Sequence, residues 1–203
     1  MIRFIFILLL LIPFGVAQTE QEEMAKAMQE MQQAMQQMNH VVANVKVIGF
    51  RELKKMLPEK VLGIERTKAF GERNAAMGMK VSEARGEYGV RGKKPFLSLE
   101  IVDSGSLQGI VGMSMAGWST MEIDRESDTE LEQTFTYKGN KGIKNYQFEQ
   151  QSGEVSVIIG SRVIVSMTFQ GVSLEDFEKA LDSVDIKGIE GLIASVEARE
   201  KDK

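Results

Sequence analysis

Met35-x-x-Met38-x-His40 sets two thioethers and an imidazole within about one turn of a helix. Soft sulfur ligands select Cu(I), so this trio is a direct candidate for metal chemistry. Met77-Gly78-Met79 and Met113-Ser114-Met115 are further Met-x-Met pairs, and Trp118 follows the second. The same methionines fit another pattern. Met24, Met28, Met31, Met35, Met38, Val42 and Val45 follow one another at alternating spacings of four and three. That alternation keeps the apolar residues on one face of a helix and accounts for the methionines without metal. The expectation is therefore no cofactor, with Met24, Met28, Met31, Met35 and Met38 as partner-binding residues. Copper held by Met35, Met38 and His40 is the alternative.

Carboxylates form the second chemical pattern. Glu122, Asp124, Glu126, Asp128, Glu130 and Glu132 occupy every second position. In an extended chain all would project from one side, a spacing that can recruit Ca²⁺. The EF-hand loop does not fit, because Thr129 stands where its Gly belongs and Phe135 where its closing Glu belongs. The expected role is the polar face of an edge strand and its approach, where charge discourages sheet-to-sheet pairing.

His40 is the single histidine and cysteine is absent. Zinc sites built from several His or Cys ligands are excluded, and a Ser-His or Cys-His pair has no second base to draw on. Gly92-Lys93 lacks the earlier Gly of a P-loop, and Lys94 replaces the required Ser or Thr. Tyr88, Asp103, Glu100 and Arg85 are polar residues on expected strands. They would serve glycosidase-type chemistry only as opposed carboxylate pairs, which spacing alone does not create. The expected protein is not an enzyme.

Three segments position these residues. Positions 18–45 are rich in Ala, Met, Gln and Glu, all strong helix formers, and predict an amphipathic helix of coiled-coil type. Positions 46–172 predict strands. A short helix comes first, with Phe50, Leu53 and Leu57 on one face and Pro58 as its stop. Strands are expected over 61–70 and 80–90, joined by Gly71 to Gly78. Leu97, Leu99 and Ile101 alternate with polar residues, as do Leu131, Phe135 and Tyr137, and Tyr146 with Phe148. A turn over Gly139 to Gly142 is expected between the last two of these strands. Val155–Ile159 and Arg162–Phe169 flank Gly160-Ser161 as a hairpin. Residues 107–118 read as a close-packed helix or a loop. Ser173 caps a helix carrying Leu174, Phe177, Leu181 and Val184, and a second helix carries Ile189, Leu192, Ile193 and Val196. The fold class expected is α+β: a mainly antiparallel meander with a C-terminal hairpin, covered by helices.

The first seventeen residues concern address. Arg3, an apolar run from Phe4 to Ile12, Pro13 and Gly15-Val16-Ala17 form the pattern of a secretory signal peptide. The run is shorter than the roughly 20 residues of a spanning helix. A periplasmic or secreted protein is expected, without a membrane segment after cleavage. The expected organisation is 1–17 leader, 18–45 helix, 46–197 α+β domain and 198–203 charged tail. A formal charge of −4 with both signs mixed points away from nucleic acid. A second copy or an envelope protein is the expected partner.

Phe50-x-x-Leu53, Leu57-Pro58, Gly63 and Ser82-x-x-Arg85-x-x-x-Tyr88 set an outline that continues in Ile101-Val102-Asp103, Arg162-Val163-Ile164-Val165 and Asp185-Ile186. Over about residues 48–195 this outline resembles a group of uncharacterised exported bacterial proteins. The resemblance rests on structural residues and implies a fold and a compartment, with no activity to carry over.

Overall fold

The computed structural model describes residues 26, 28, 29, 46–76, 79–105 and 121–201. The chain divides into two compact units, Met1–Met38 and Asn39–Lys203. In the first, Lys26, Met28 and Gln29 are helical and exposed. The leader, the rest of the methionine stripe and residues 107–118 lie outside the described residues. Among the described residues, no helix is long and apolar enough to cross a membrane.

The second unit is dominated by a nine-stranded antiparallel sheet. Its strands are β1 (Lys60–Val61), β2 (Ile64–Ala76), β3 (Met79–Tyr88), β4 (Phe96–Asp103), β5 (Asp124–Glu126), β6 (Glu130–Tyr137), β7 (Asn140–Gln147), β8 (Ser152–Ile159) and β9 (Val163–Gln170). The helices are α1 (Phe50–Lys55), α2 (Leu174–Lys179) and α3 (Ile186–Lys201), with a 3-10 turn at Ala180–Ser183. Of the α+β expectation, the antiparallel sheet is what the structure shows: the described residues of this unit are mostly sheet, with a few helices.

The spatial order β1-β2-β3-β4-β9-β8-β7-β6-β5 corrects the simple meander. Two meanders meet where β4 pairs with β9, and the chain passes from β4 to the far edge before returning. Burial explains the arrangement. Val155 to Ile159 and Val163 to Val165 are buried at every position. Strands apolar on both faces belong in the middle of a sheet.

One face of the sheet carries the core. Ala84, Ile101, Val165 and Val157 form a row across it, and Leu99, Met167 and Val155 form the next. Leu53 and Leu57 by α1, Phe177 of α2, and Ile189, Ile193 and Val196 of α3 join the same buried cluster. Each such side chain gives about 1.5–3 kcal/mol on leaving water. Phe177 packs on Phe169, ring centroids 4.7 Å apart, and on Tyr146 at 5.4 Å. Ser173 starts α2 as expected: the Asp176 amide donates to its hydroxyl at 3.2 Å.

Four local expectations change. Gly71 sits inside β2 rather than in a turn: it pairs with Ala84, and its missing side chain lets the Phe50 ring pack close, 3.0 Å from where a Cβ would be. Lys138 and Gly139, both at positive φ, make the β6–β7 turn, one residue before the expected site. Arg162 belongs to the β8–β9 turn, where its amide donates to the Ile159 carbonyl at 3.1 Å. Helix α3 also runs on through Lys201, into the expected tail.

Candidate functional site

Phe135 and Tyr137 of β6, Lys144 of β7 and Val155 of β8 share the core face of the sheet. Above them stand Phe177 and Glu178 of α2 and Leu181 of the 3-10 turn. Together they line a half-open cavity of about 190 Å³. The local sequence makes the space. Gly142 lies beneath the Phe135 ring, and a Cβ there would come within 2.7 Å of Phe135 Cε1. Small residues at such positions let an aromatic ring lie flat on the backbone.

Two polar contacts tie the roof to the sheet. Lys144 Nζ meets Glu178 Oε1 at 2.5 Å, and the Tyr137 hydroxyl donates to Asp182 Oδ1 at 2.6 Å. Glu178 and Asp182 are four residues apart, which sets both carboxylates on one side of the helical segment. Lys144 is only 13% exposed while Glu178 is 51% exposed. The cation is therefore largely buried at the rim, while its carboxylate partner is half open to water. Burial, then the Asp182 carboxylate, pushes the Tyr137 phenol above its ordinary range. The site is an apolar hole with one inward cation.

The polar residues named from sequence separate onto two faces. Asp103 and Tyr88 lie on the core face. Asp103 is an ion-pair partner of Arg162, and the Tyr88 hydroxyl donates to the Pro58 carbonyl at 3.0 Å. Burial holds the Tyr88 phenol up at about 12. Arg85 and Glu100 face each other on the opposite side, Nη2 to Oε1 3.5 Å, and Glu83 joins them at 3.0 Å. Burial and the neighbouring Glu100 charge raise the Glu83 carboxyl. These groups are already engaged with one another.

The acidic series does not line one side. A turn at 127–129 separates Asp124 and Glu126 of β5 from Glu130 and Glu132 of β6. Register then sets Asp124 beside Gln133 and Glu126 beside Leu131, across from the face of Glu132. The edge position expected for this segment does hold, since β5 ends the sheet. Glu122 and Asp124 instead border an open cleft of about 280 Å³ with Thr134 and Lys141.

Met28 is 62% exposed on its helix. Met24, Met31, Met35, Met38 and His40 lie outside the described residues. Among the described residues, no group of three His, Asp or Glu is placed to hold a metal ion. Sequence reading missed Lys144, Glu178, Tyr137 and Asp182. The spacing of Glu178 and Asp182 was visible, but the strands that would meet them were not. No family model, curated protein or solved structure matches this chain.

Proposed function

We propose that this chain is an exported, non-enzymatic binding protein of α+β type, with helices lying over one face of the sheet. The observation that carries the reading is the roofed apolar cavity with Lys144 at its rim. A space of about 190 Å³ is below the usual range for drug-sized ligands and near the size that accepts a benzene-sized molecule. The class that fits is a small aromatic or short-chain carboxylate. Its apolar part would fill the space over Val155 and Leu181. Its anionic head would take the place of Glu178 on Lys144 in a charge-assisted hydrogen bond.

Benzoate, hexanoate and neutral hexanol are suitable probes. A ligand of the folded state raises Tm with its concentration. The carboxylates should raise Tm and shift the methyl NMR signals of Val155 and Leu181, with hexanol weaker. Lys144→Met should remove the advantage of the carboxylates. Unmoved Val155 and Leu181 signals at millimolar probe would overturn the reading.

A second reading is binding of a partner through the methionine stripe, in a second copy or an envelope protein. The exposure of Met28 favours it. Unbranched thioethers suit surfaces that accept varied partners. Deleting residues 18–45 should then abolish co-purification of that partner.

A further inference from the structure

The sheet has two ends, and they are finished differently. At one, β5 is three residues long and carries Asp124, Arg125 and Glu126, a short charged edge of the kind that resists pairing. At the other, β1 has two residues and pairs only with Ile64 and Glu65 of β2. Strand β2 itself runs on to Ala76. The Arg66 amide still donates to the Glu59 carbonyl, at 2.8 Å. From Thr67 onward, the outer side of β2 has no ladder partner among the described residues.

The side chains of this free edge are open to solvent. Phe70 is 52% exposed and the Lys68 side chain 73%. Thr67, Arg73, Asn74 and Ala75 are exposed as well. Lys68, Phe70 and Glu72 alternate along one face, opposite Ala69 and Gly71 on the other. Lys68 has only a 3.7 Å contact with Glu87, which also pairs with Arg91. Glu72 accepts from Asn74 Nδ2 at 2.7 Å on its own strand.

We infer that β2 is a self-association edge, which pairs antiparallel with β2 of a second copy. The order Lys68-x-Phe70-x-Glu72 is self-complementary under a two-fold axis. With Phe70 opposite the second copy's Phe70, each Lys68 stands opposite a Glu72, and the two ion pairs flank a central aromatic pair. Isologous interfaces require this kind of reciprocity. Directly opposed residues are the pairs that stabilise a sheet, and opposite charges are favourable there. Shifting the register by two residues sets Phe70 against Glu72 or against Lys68 and loses the match. A one-residue slip turns Phe70 to the opposite face. Charge at this edge therefore repels a foreign strand while a second copy neutralises it.

Sedimentation equilibrium of the purified protein tests this. Wild type should dimerise, and more weakly at high salt, because exposed ion pairs are screened. Lys68→Glu should raise the dimer dissociation constant about tenfold or more, since it sets like charges opposite each other twice. Glu72→Lys should do the same. The double variant Lys68→Glu/Glu72→Lys should restore the dimer with reversed pairs. Circular dichroism melts of the single variants should match wild type at concentrations low enough for wild type to be monomeric, which separates interface loss from misfolding. A monomeric wild type at 0.2 mM, or a dimer unmoved by either single reversal, would overturn the inference. A dimer that survives both reversals but is lost on removing residues 18–45 would assign association to the methionine helix instead.

Discussion

Asp103 and Arg162 form a buried ion pair that closes three separate segments on one another. Their side chains are 0% and 4% exposed, with Arg162 Nε donating to Asp103 Oδ1 at 2.9 Å. Arg162 Nη2 also donates to Asp103 Oδ2 at 3.1 Å, a two-pronged contact suited to guanidinium. Each Asp103 oxygen takes a second donor. The Ile48 amide donates to Asp103 Oδ2 and the Gly105 amide to Oδ1, while Arg162 Nη2 reaches the Lys46 carbonyl. The end of β4, the β8–β9 turn and the chain leading into α1 are thereby fixed together.

Removing one member of such a pair leaves a buried charge alone, which costs about 3–5 kcal/mol. Arg162→Met should lower stability by that order in urea unfolding. The double variant Asp103→Leu/Arg162→Met should recover only part of the loss, because no charge is left alone but the Ile48 and Gly105 amides lose their acceptor. A single-variant loss under about 1 kcal/mol would show that water reaches Asp103.

Val165 lies at the centre of β9, fully buried between Ile101 of β4 and Val157 of β8. Val165→Asp sets a carboxylate there without a partner. The penalty is several kcal/mol against a typical total of about 5–15 kcal/mol. The expected result is loss of the cooperative thermal transition. A melt like that of wild type would show β9 to be dispensable.

Glu83 gives a pH signature. Its carboxyl is raised by burial and by Glu100, so the folded protein binds that proton at higher pH than the unfolded chain. Stability contributed by this group then falls as pH rises through the window between the two values. Glu83→Gln should raise Tm at neutral pH, and the gain should vanish as pH drops below the window. A lower Tm at pH 7 would mean that the Arg85 ion pair outweighs the repulsion.

For the methionine stripe, Met28, Met31, Met35 and Met38 can be changed together to Leu. Leu is apolar, similar in volume and a strong helix former, so such swaps cost under about 1.5 kcal/mol each. Helicity and oligomeric state should persist. A Cu(I) competition titration of wild type should detect no tight site. A submicromolar site lost in the Leu variant would establish copper binding through these sulfurs.

The sequence by itself determined what depends on neighbours along the chain. Alternation marked Leu97, Leu99 and Ile101, and a β-branched run on each side of Gly160-Ser161 marked the last hairpin. Ser173 marked the start of α2, and Pro58 the stop after α1. These signals are local because a strand repeats every two residues and a cap is set within three. Only the tertiary structure decided what depends on residues far apart. It set β9 beside β4, which makes the sheet two meanders rather than one. It turned Arg162 inward to Asp103, 59 positions away. It brought Lys144 to Glu178 and Tyr137 to Asp182, and so formed the cavity. Among the described residues, it also left the outer edge of β2 without a ladder partner beyond Arg66. Partner choice between strands is a contest among long-range packings, and a single strand's pattern fits many partners equally well.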